Sequence, residues 1–323
     1  MNLSAIKKPF KKELNEYDIT FNKIMSSDIK LIDSVVKYIV RHKGKNLRPL
    51  LVLMSAKLVG TTNENTYIVA SIVEMLHSAS LIHDDVVDDS DMRRSFPSIN
   101  AIWKNKIAVL IGDYLLSKCL IGATMSGKLE VMNILAHASK RLSKGELLQI
   151  EKSLKMNITE EDYFKMISDK TAALISAAAE LGAITTSSNE KDHENLRNFG
   201  EYLGIAFQIK DDLLDYYGHQ SILGKPVGND FKDKKITLPL IHAFQNAKDG
   251  EIKKIKKALK KGVSKNDVKE IIEFAEKNGG IDYAKKKQNE YAQKAKDCLE
   301  EYPESDLKSA MWHFVDYVIE RKM

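Results

Sequence analysis

Between Pro97 and Pro226 the chain runs for 128 residues without a proline, and apolar side chains recur through that stretch at helical spacing. Leu147, Ile150 and Leu154 mark one stripe; Ile167, Leu174, Ile175, Ala178 and Leu181 mark another. Ser143 offers an N-cap to the first, and Thr159, followed by Glu161 and Asp162, opens the second. Gly-rich hairpin signals and long β-branched alternations are absent. The spacing predicts helices over 28–42, 48–60, 64–90, 106–126, 129–141, 144–155, 159–187, 191–217, 234–247, 250–261, 265–278, 281–300 and 304–321. Several are apolar on more than one face, as central members of a bundle are. No Pro/Gly/Ser linker and no fixed-period repeat divides the chain. The expected fold is all-α, one domain over 1–323, with roughly 10–13 helices.

Composition narrows the class. With 43% hydrophobic and 29% charged residues among 323, the chain is globular rather than disordered. Its two cysteines, Cys119 and Cys298, cannot build a disulfide framework, which points to a reducing compartment. The opening MNLSAIKKPFKKEL lacks the apolar run of a secretory signal. The most apolar stretches, 107–125 and 171–188, carry Asp113 and Lys118 in one and Glu180 in the other, so neither reads as a membrane span. A cytoplasmic location is expected. Residues 251–300 hold 14 basic and 9 acidic residues, an excess equal to the whole net charge of +5. That excess lacks interleaved aromatics and any recognition motif, so no nucleic-acid partner is expected.

Local charge is more informative. Asp84-Asp85-Val86-Val87-Asp88 and Asp211-Asp212-Leu213-Leu214-Asp215 repeat one pattern near the ends of two long helices. In each, the first and last carboxylates stand one turn apart on the same face. Like charges so placed repel, and burying them without a counter-charge costs several kcal/mol. A single cluster would be read as a helix end meeting solvent; two equivalent clusters call for cations. Oxygen-only donors favour a hard ion such as Mg²⁺, which takes one or two carboxylates together with phosphate oxygens.

Here the chain resembles the trans-type isoprenyl diphosphate synthases, the polyprenyl synthetase family. The resemblance rests on DDVVDDSDMRR at 84–94 and FQIKDDLLD at 207–215, the family's two aspartate-rich motifs. GKNLRP at 44–49, Glu74 to His77, GDYLL at 112–116, KTA at 170–172, LGKPVGND at 223–230 and KKITLPL at 234–240 complete the order. The motifs cover about 40–243, with a helical C-terminal part over 244–323. The resemblance implies a helical bundle around a central cavity. It also implies condensation of isopentenyl diphosphate with an allylic diphosphate, releasing diphosphate, which then accepts the proton. Asp84, Asp85, Asp88, Asp211, Asp212 and Asp215 would surround about three Mg²⁺, with Mn²⁺ a possible substitute. Lys45, Arg48, His77 and Arg94 match the isopentenyl diphosphate site. Arg93, Lys170, Lys225 and Lys235 match the allylic site, with Thr171 and Gln208 as polar partners; Lys170 and Lys225 count among the catalytic cations. The resemblance further implies a homodimer. His83 is read as structural. Departures stand at Lys43, where Gly is common, at Asn46, where Arg is common, and at Lys234, where Gly is usual.

A growing hydrocarbon tail would run down between helices, each isoprene unit extending about one helical turn. Ala79 and Ser80 occupy the fifth and fourth positions before Asp84, where short-chain relatives tend to carry Phe or Tyr. Met75, Leu76 and Ile72 are deeper stopper candidates, with Leu116, Leu120, Ile121 and Met125 opposite. An open door at that depth predicts a product of about C30–C50 from a farnesyl or geranylgeranyl primer, at one C5 unit per turn. Such a lipid suits a respiratory quinone side chain. The basic C-terminal helices could favour weak contact with an anionic membrane surface where the lipid leaves. The alternatives are a short-chain synthase, a non-catalytic subunit of a two-component synthase, a terpene cyclase, and a di-iron carboxylate bundle using Glu74-x-x-His77 and Glu190-x-x-His193.

Overall fold

The computed structural model describes residues 2–42, 44–93, 95–217 and 229–320, omitting the side chains of Asn229 and Lys232. Helices follow in the order α1 (Leu3–Lys7), α2 (Lys11–Met25), α3 (Lys30–Arg41), α4 (Leu47–Val59), α5 (Glu64–Val87), α6 (Ile99–Met125), α7 (Leu129–Lys155) and α8 (Glu160–Ile167). They continue as α9 (Ala173–Thr186), α10 (Glu190–Tyr217), α11 (Asn229–Lys232), α12 (Leu238–Asn246), α13 (Asp249–Lys261), α14 (Lys265–Lys277), α15 (Gly280–Asp297) and α16 (Asp306–Glu320). A two-stranded antiparallel ribbon, Met92–Arg93 with Phe96–Pro97, joins α5 to α6. All-α is the architecture.

Most of the expected helices are present within a few residues, and the differences have local causes. The stretches 129–141 and 144–155 form one helix, because Ser143 does not cap: its hydroxyl donates back to the Ser139 carbonyl inside α7. The stretch 159–187 is split by a wide π turn over Ser168–Ala172. α6 begins earlier than expected, but Lys104 inside it is non-helical, so the expectation from 106 matched the part beyond the kink. α1 and α2 were not anticipated, although Phe10, Tyr17, Phe21 and Met25 bury a regular stripe.

Two apolar clusters meet at α10. The larger gathers side chains of α1–α7, α9, α16 and the later part of α15; the smaller gathers α8, α11–α14 and the start of α15. α10 serves both, with Leu203 and Ala206 in the first and Ile205, Ile209 and Leu213 in the second. The two long helices bearing the aspartates, α5 and α10, are both packed into the core.

Not every apolar stripe is covered. Leu147 and Leu154 are 68% and 81% exposed, and Leu120, Ile121 and Met125 of α6 are more than half exposed. Leu154 and the three α6 residues lie on outward faces, whereas Leu147, though exposed, borders with Ile150 the cavity between the two aspartate motifs. α6 is also long and apolar enough to cross a membrane, with 39% of its most apolar window buried. Its inner face packs on α5, where Gly112 lies against His83 and Gly122 against Ile72.

Candidate active site

The end of α5 delivers the first aspartate motif and the end of α10 the second, and a cavity of about 570 Å³ opens between them. Its polar end is lined by Asp84, Asp211, Glu146, Lys170, Thr171 and Gln208. Leu76, Leu116, Leu142, Leu174 and Phe207 carry an apolar wall away from that end. A neighbouring cavity of about 410 Å³ shares Lys170, Thr171, Gln208 and Asp211 and adds Asp215, Asp230 and Lys235. A third, of about 600 Å³, shares Arg48, His77 and Phe207 with the first and holds Gly44, Lys45 and Asn46. Cations assigned to two different diphosphates thus line two adjoining spaces.

The six aspartates are not equivalent. Burial, then the neighbouring Glu146, pushes the Asp84 carboxyl up to about 6, against the pull of Lys170 and Arg93. Asp85 is 3% exposed and held by Arg93, whose Nε and Nη2 each lie 2.7 Å from its Oδ1. Asp88 is exposed at the C-cap of α5. Asp212 is 5% exposed and accepts at both oxygens: the Tyr163 hydroxyl donates to Oδ2 at 2.6 Å, and Gln208 Nε2 donates to Oδ1 at 2.8 Å. Burial raises its carboxyl well above the usual range. Asp215 accepts the Asp230 backbone N–H at 2.9 Å. Burial, with Asp215 second, pushes Asp230 up to about 7 against Lys235.

That surplus of buried negative charge is the observation that fits divalent cations here. Among the described residues no three acids converge into a closed cage. Asp84, Asp211 and Asp215 would therefore share the ions with oxygens from substrate or water, which suits Mg²⁺.

The cations take distinct positions. Lys170 Nζ lies 2.5 Å from Glu146 and 3.1 Å from Gln149 Oε1. Thr171 donates to Gln208 Oε1 at 2.7 Å, so Thr171, Gln208, Asp212 and Tyr163 form one relay. Lys235 lies 3.0 Å from Asp233; burial opposes its charge, but Asp230 and Asp233 outweigh it and raise its pKa. Lys45 Nζ donates to the Tyr317 hydroxyl at 3.0 Å, and the Lys45 carbonyl accepts from Lys7 at 2.6 Å. The first and last parts of the chain thereby brace this loop. Arg93 lies on the His77 side of Asp85, in a small cavity with Glu74 and Tyr38, and does not line the cavity of Asp84 and Asp211. Arg94, Lys225 and Lys43 lie outside the described residues.

Two departures from the motif fall at backbone positions of positive φ. Asn46 has φ 51° and Lys234 φ 57°. Asn adopts the left-handed region readily; Lys does so at a cost of roughly 1–2 kcal/mol, which explains the usual Gly there. Of the depth residues, Leu76 and Ser80 line the main cavity, whereas Ala79 and Met75 are fully buried behind that wall. Leu120, Ile121 and Met125 face outward, leaving Leu116 as the α6 contributor. His83 sits in the α5–α6 seam, 3.5 Å from Asp113. His193 contacts the Ser187 carbonyl at the start of α10, about 27 Å along the helix from Asp211, so the di-iron pairing does not assemble. Tyr163, Gln149, Glu146 and Asp230 join the site without having been singled out. Only tertiary folding brings the first three beside the motifs; Asp230 was visible as the last residue of LGKPVGND.

An all-α bundle with two opposed aspartate clusters, converging cations and an apolar shaft is built to handle diphosphates with hydrocarbon tails. The sequence model of the polyprenyl synthetase family matches residues 29–275, and the chain belongs to that family, the isoprenyl diphosphate synthases. It is 34% identical over 311 residues to octaprenyl diphosphate synthase of Haemophilus influenzae, covering 96% of this chain and 94% of that protein. Among solved structures it superposes on a decaprenyl diphosphate synthase from Rhodobacter capsulatus with TM-score 0.94 and 35% identity, over 98% of both chains. It also superposes on a polyprenyl synthase from Caulobacter crescentus complexed with calcium and isoprenyl diphosphate, with TM-score 0.93 and 32% identity, over 100% of this chain and 98% of that one.

Proposed function

We propose that the chain extends an allylic diphosphate, farnesyl or geranylgeranyl, with isopentenyl diphosphate to an all-trans polyprenyl diphosphate of about C30–C50, by the one-unit-per-turn reckoning. The supporting observation is the main cavity, polar at Asp84, Asp211, Lys170, Thr171 and Gln208 and apolar beyond. Bound Mg²⁺ would supply Lewis-acid neutralisation of the departing diphosphate at Asp84, Asp211 and Asp215. Lys170 and Lys235 add fixed positive charge for the same leaving group. Thr171 and Gln208, oriented by Asp212 and Tyr163, present polar atoms beside the reacting end. Lys45, Arg48 and His77 hold the second diphosphate in the adjoining space. Leu76, Leu116, Leu174 and Phe207 receive the tail and exclude water from the cationic carbon.

A lipid of that length suits a respiratory quinone side chain. The exposed apolar residues Leu120, Ile121 and Met125 of α6 and Leu154 of α7 favour a homodimer. The aspartates and described cations of the site favour a self-sufficient enzyme over a silent partner subunit. Its expected location is cytoplasmic, with weak contact between the basic C-terminal helices and an anionic membrane. The test is incubation of the purified chain with isopentenyl diphosphate, Mg²⁺ and each primer. Product near C15–C20 would favour the short-chain reading, and product only on adding a second subunit would favour the two-component one.

A further inference from the structure

The wide turn that carries Lys170 and Thr171 is gripped from outside the cavity by a residue for which the reaction scheme has no use. Arg141 lies on α7, one turn before Gly145. Its Nε donates to Asp169 Oδ1 at 2.8 Å, and its Nη1 and Nη2 donate to the two Glu201 oxygens at 3.0 and 2.8 Å. Nη2 also reaches the Ser168 carbonyl at 3.0 Å and the Ser168 hydroxyl oxygen at 2.7 Å. The Ser168 hydroxyl donates to Glu201 Oε1 at 2.5 Å, which closes the network.

The Ser168 carbonyl is the first of the turn, and it also accepts the Ala173 N–H, the five-residue bond that makes the turn wide. In a regular helix that carbonyl would take the amide of residue 172 instead. Insertion of one residue changes the phase of everything beyond it by about 100°. The guanidinium therefore sits on the atom that distinguishes the two registers. Its bonds are charge-assisted and forked, a geometry an ammonium cannot reproduce. Burial opposes the Arg141 charge, but Glu201 and Asp169 outweigh it and raise its pKa. Glu201 stands two turns before Gln208 on α10. One side chain thus ties together α7, the turn and α10, which supply Glu146, Lys170 with Thr171, and Gln208 with Asp211.

We infer that Arg141 is a positioning residue for the allylic diphosphate subsite, holding the turn in the register that presents Lys170 and Thr171 to the leaving group. This rests on the assignment of Lys170 and Thr171 to that diphosphate. The test is steady-state kinetics of the full chain with Arg141→Met, Arg141→Lys and Lys170→Ala, varying each substrate separately. Arg141→Met raises KM for the allylic diphosphate and lowers kcat, by ten- to a hundredfold together, about the loss for a 1 Å misplacement. KM for isopentenyl diphosphate stays within about twofold, since that subsite lies across the cavity, and Arg141→Lys recovers part of the loss. If Arg141→Met does not fold, Glu201→Gln, which keeps the shape and removes one charge, is read in the same way. Unchanged allylic kinetics in a folded variant overturns the inference, as does an equal rise in both KM values accompanied by a lower Tm. Unchanged allylic KM in Lys170→Ala would instead overturn the subsite assignment.

Discussion

Gly145→Ala probes how closely α7 must approach the turn that carries Lys170. A methyl group there would stand 2.4 Å from the Lys170 backbone nitrogen and 2.8 Å from its Cα, whereas ordinary contact begins at 3.4 Å. The obstruction is backbone, so no side chain can rotate away, and roughly 1 Å must open between α7 and the turn. Overpacking costs about 1–3 kcal/mol, and the better helix propensity of Ala returns up to about 1 kcal/mol. The net change in Tm is then a few degrees. Displacing Lys170 and Thr171 by about 1 Å lowers kcat/KM for the allylic substrate roughly a hundredfold. Diphosphate release, measured beside a thermal melt, separates the two effects. Gly250→Ala is the control: nothing lies within 4 Å of its added methyl, and activity stays unchanged. Wild-type kcat/KM in Gly145→Ala would refute the claim that this spacing sets the subsite.

Ser80→Tyr, from the cavity wall, and Ala79→Tyr, from the buried position next to it, shift the main product toward about C15–C20; unchanged length on chromatography of the dephosphorylated lipids rejects the tunnel. Asp84→Asn and Asp211→Asn lower turnover by roughly 10² or more while the fold survives. For Asp84→Asn the melt shows an equal or higher Tm, because a crowded buried charge has been removed; diphosphate release at the wild-type rate in Mg²⁺ contradicts the assignment. Tyr163→Phe leaves one buried oxygen of Asp212 without its donor and costs about 1–3 kcal/mol, read as a lower denaturation midpoint; an unchanged midpoint shows that Asp212 does not depend on Tyr163.

Helix identity and the two aspartate motifs were legible in the sequence because both are local: periodicity over one or two turns, and acids four residues apart. What the residues face was not. Leu147 and Leu154 share one apolar stripe, yet Leu147 borders the cavity and Leu154 looks outward, since periodicity defines a face without saying what covers it. Asp212 and Asp85 are local parts of the motifs, and only the fold shows that Tyr163, distant in the chain, and Arg93, on the ribbon that follows, engage them. The π turn at Ser168–Ala172 left no sequence signal because long-range partners on α7 and α10 hold it. Asn46 suits its positive φ, whereas Lys234 bears there the cost that the usual Gly avoids.

The central claim is that the opposed aspartate clusters and the apolar shaft beneath them form one prenyl-transfer site. Purified chain incubated with isopentenyl diphosphate, farnesyl diphosphate and Mg²⁺ should release diphosphate and yield an all-trans lipid of about C30–C50 on chromatography, and chelation of the metal should abolish both. Absence of any metal-dependent lipid longer than the primer would contradict the account.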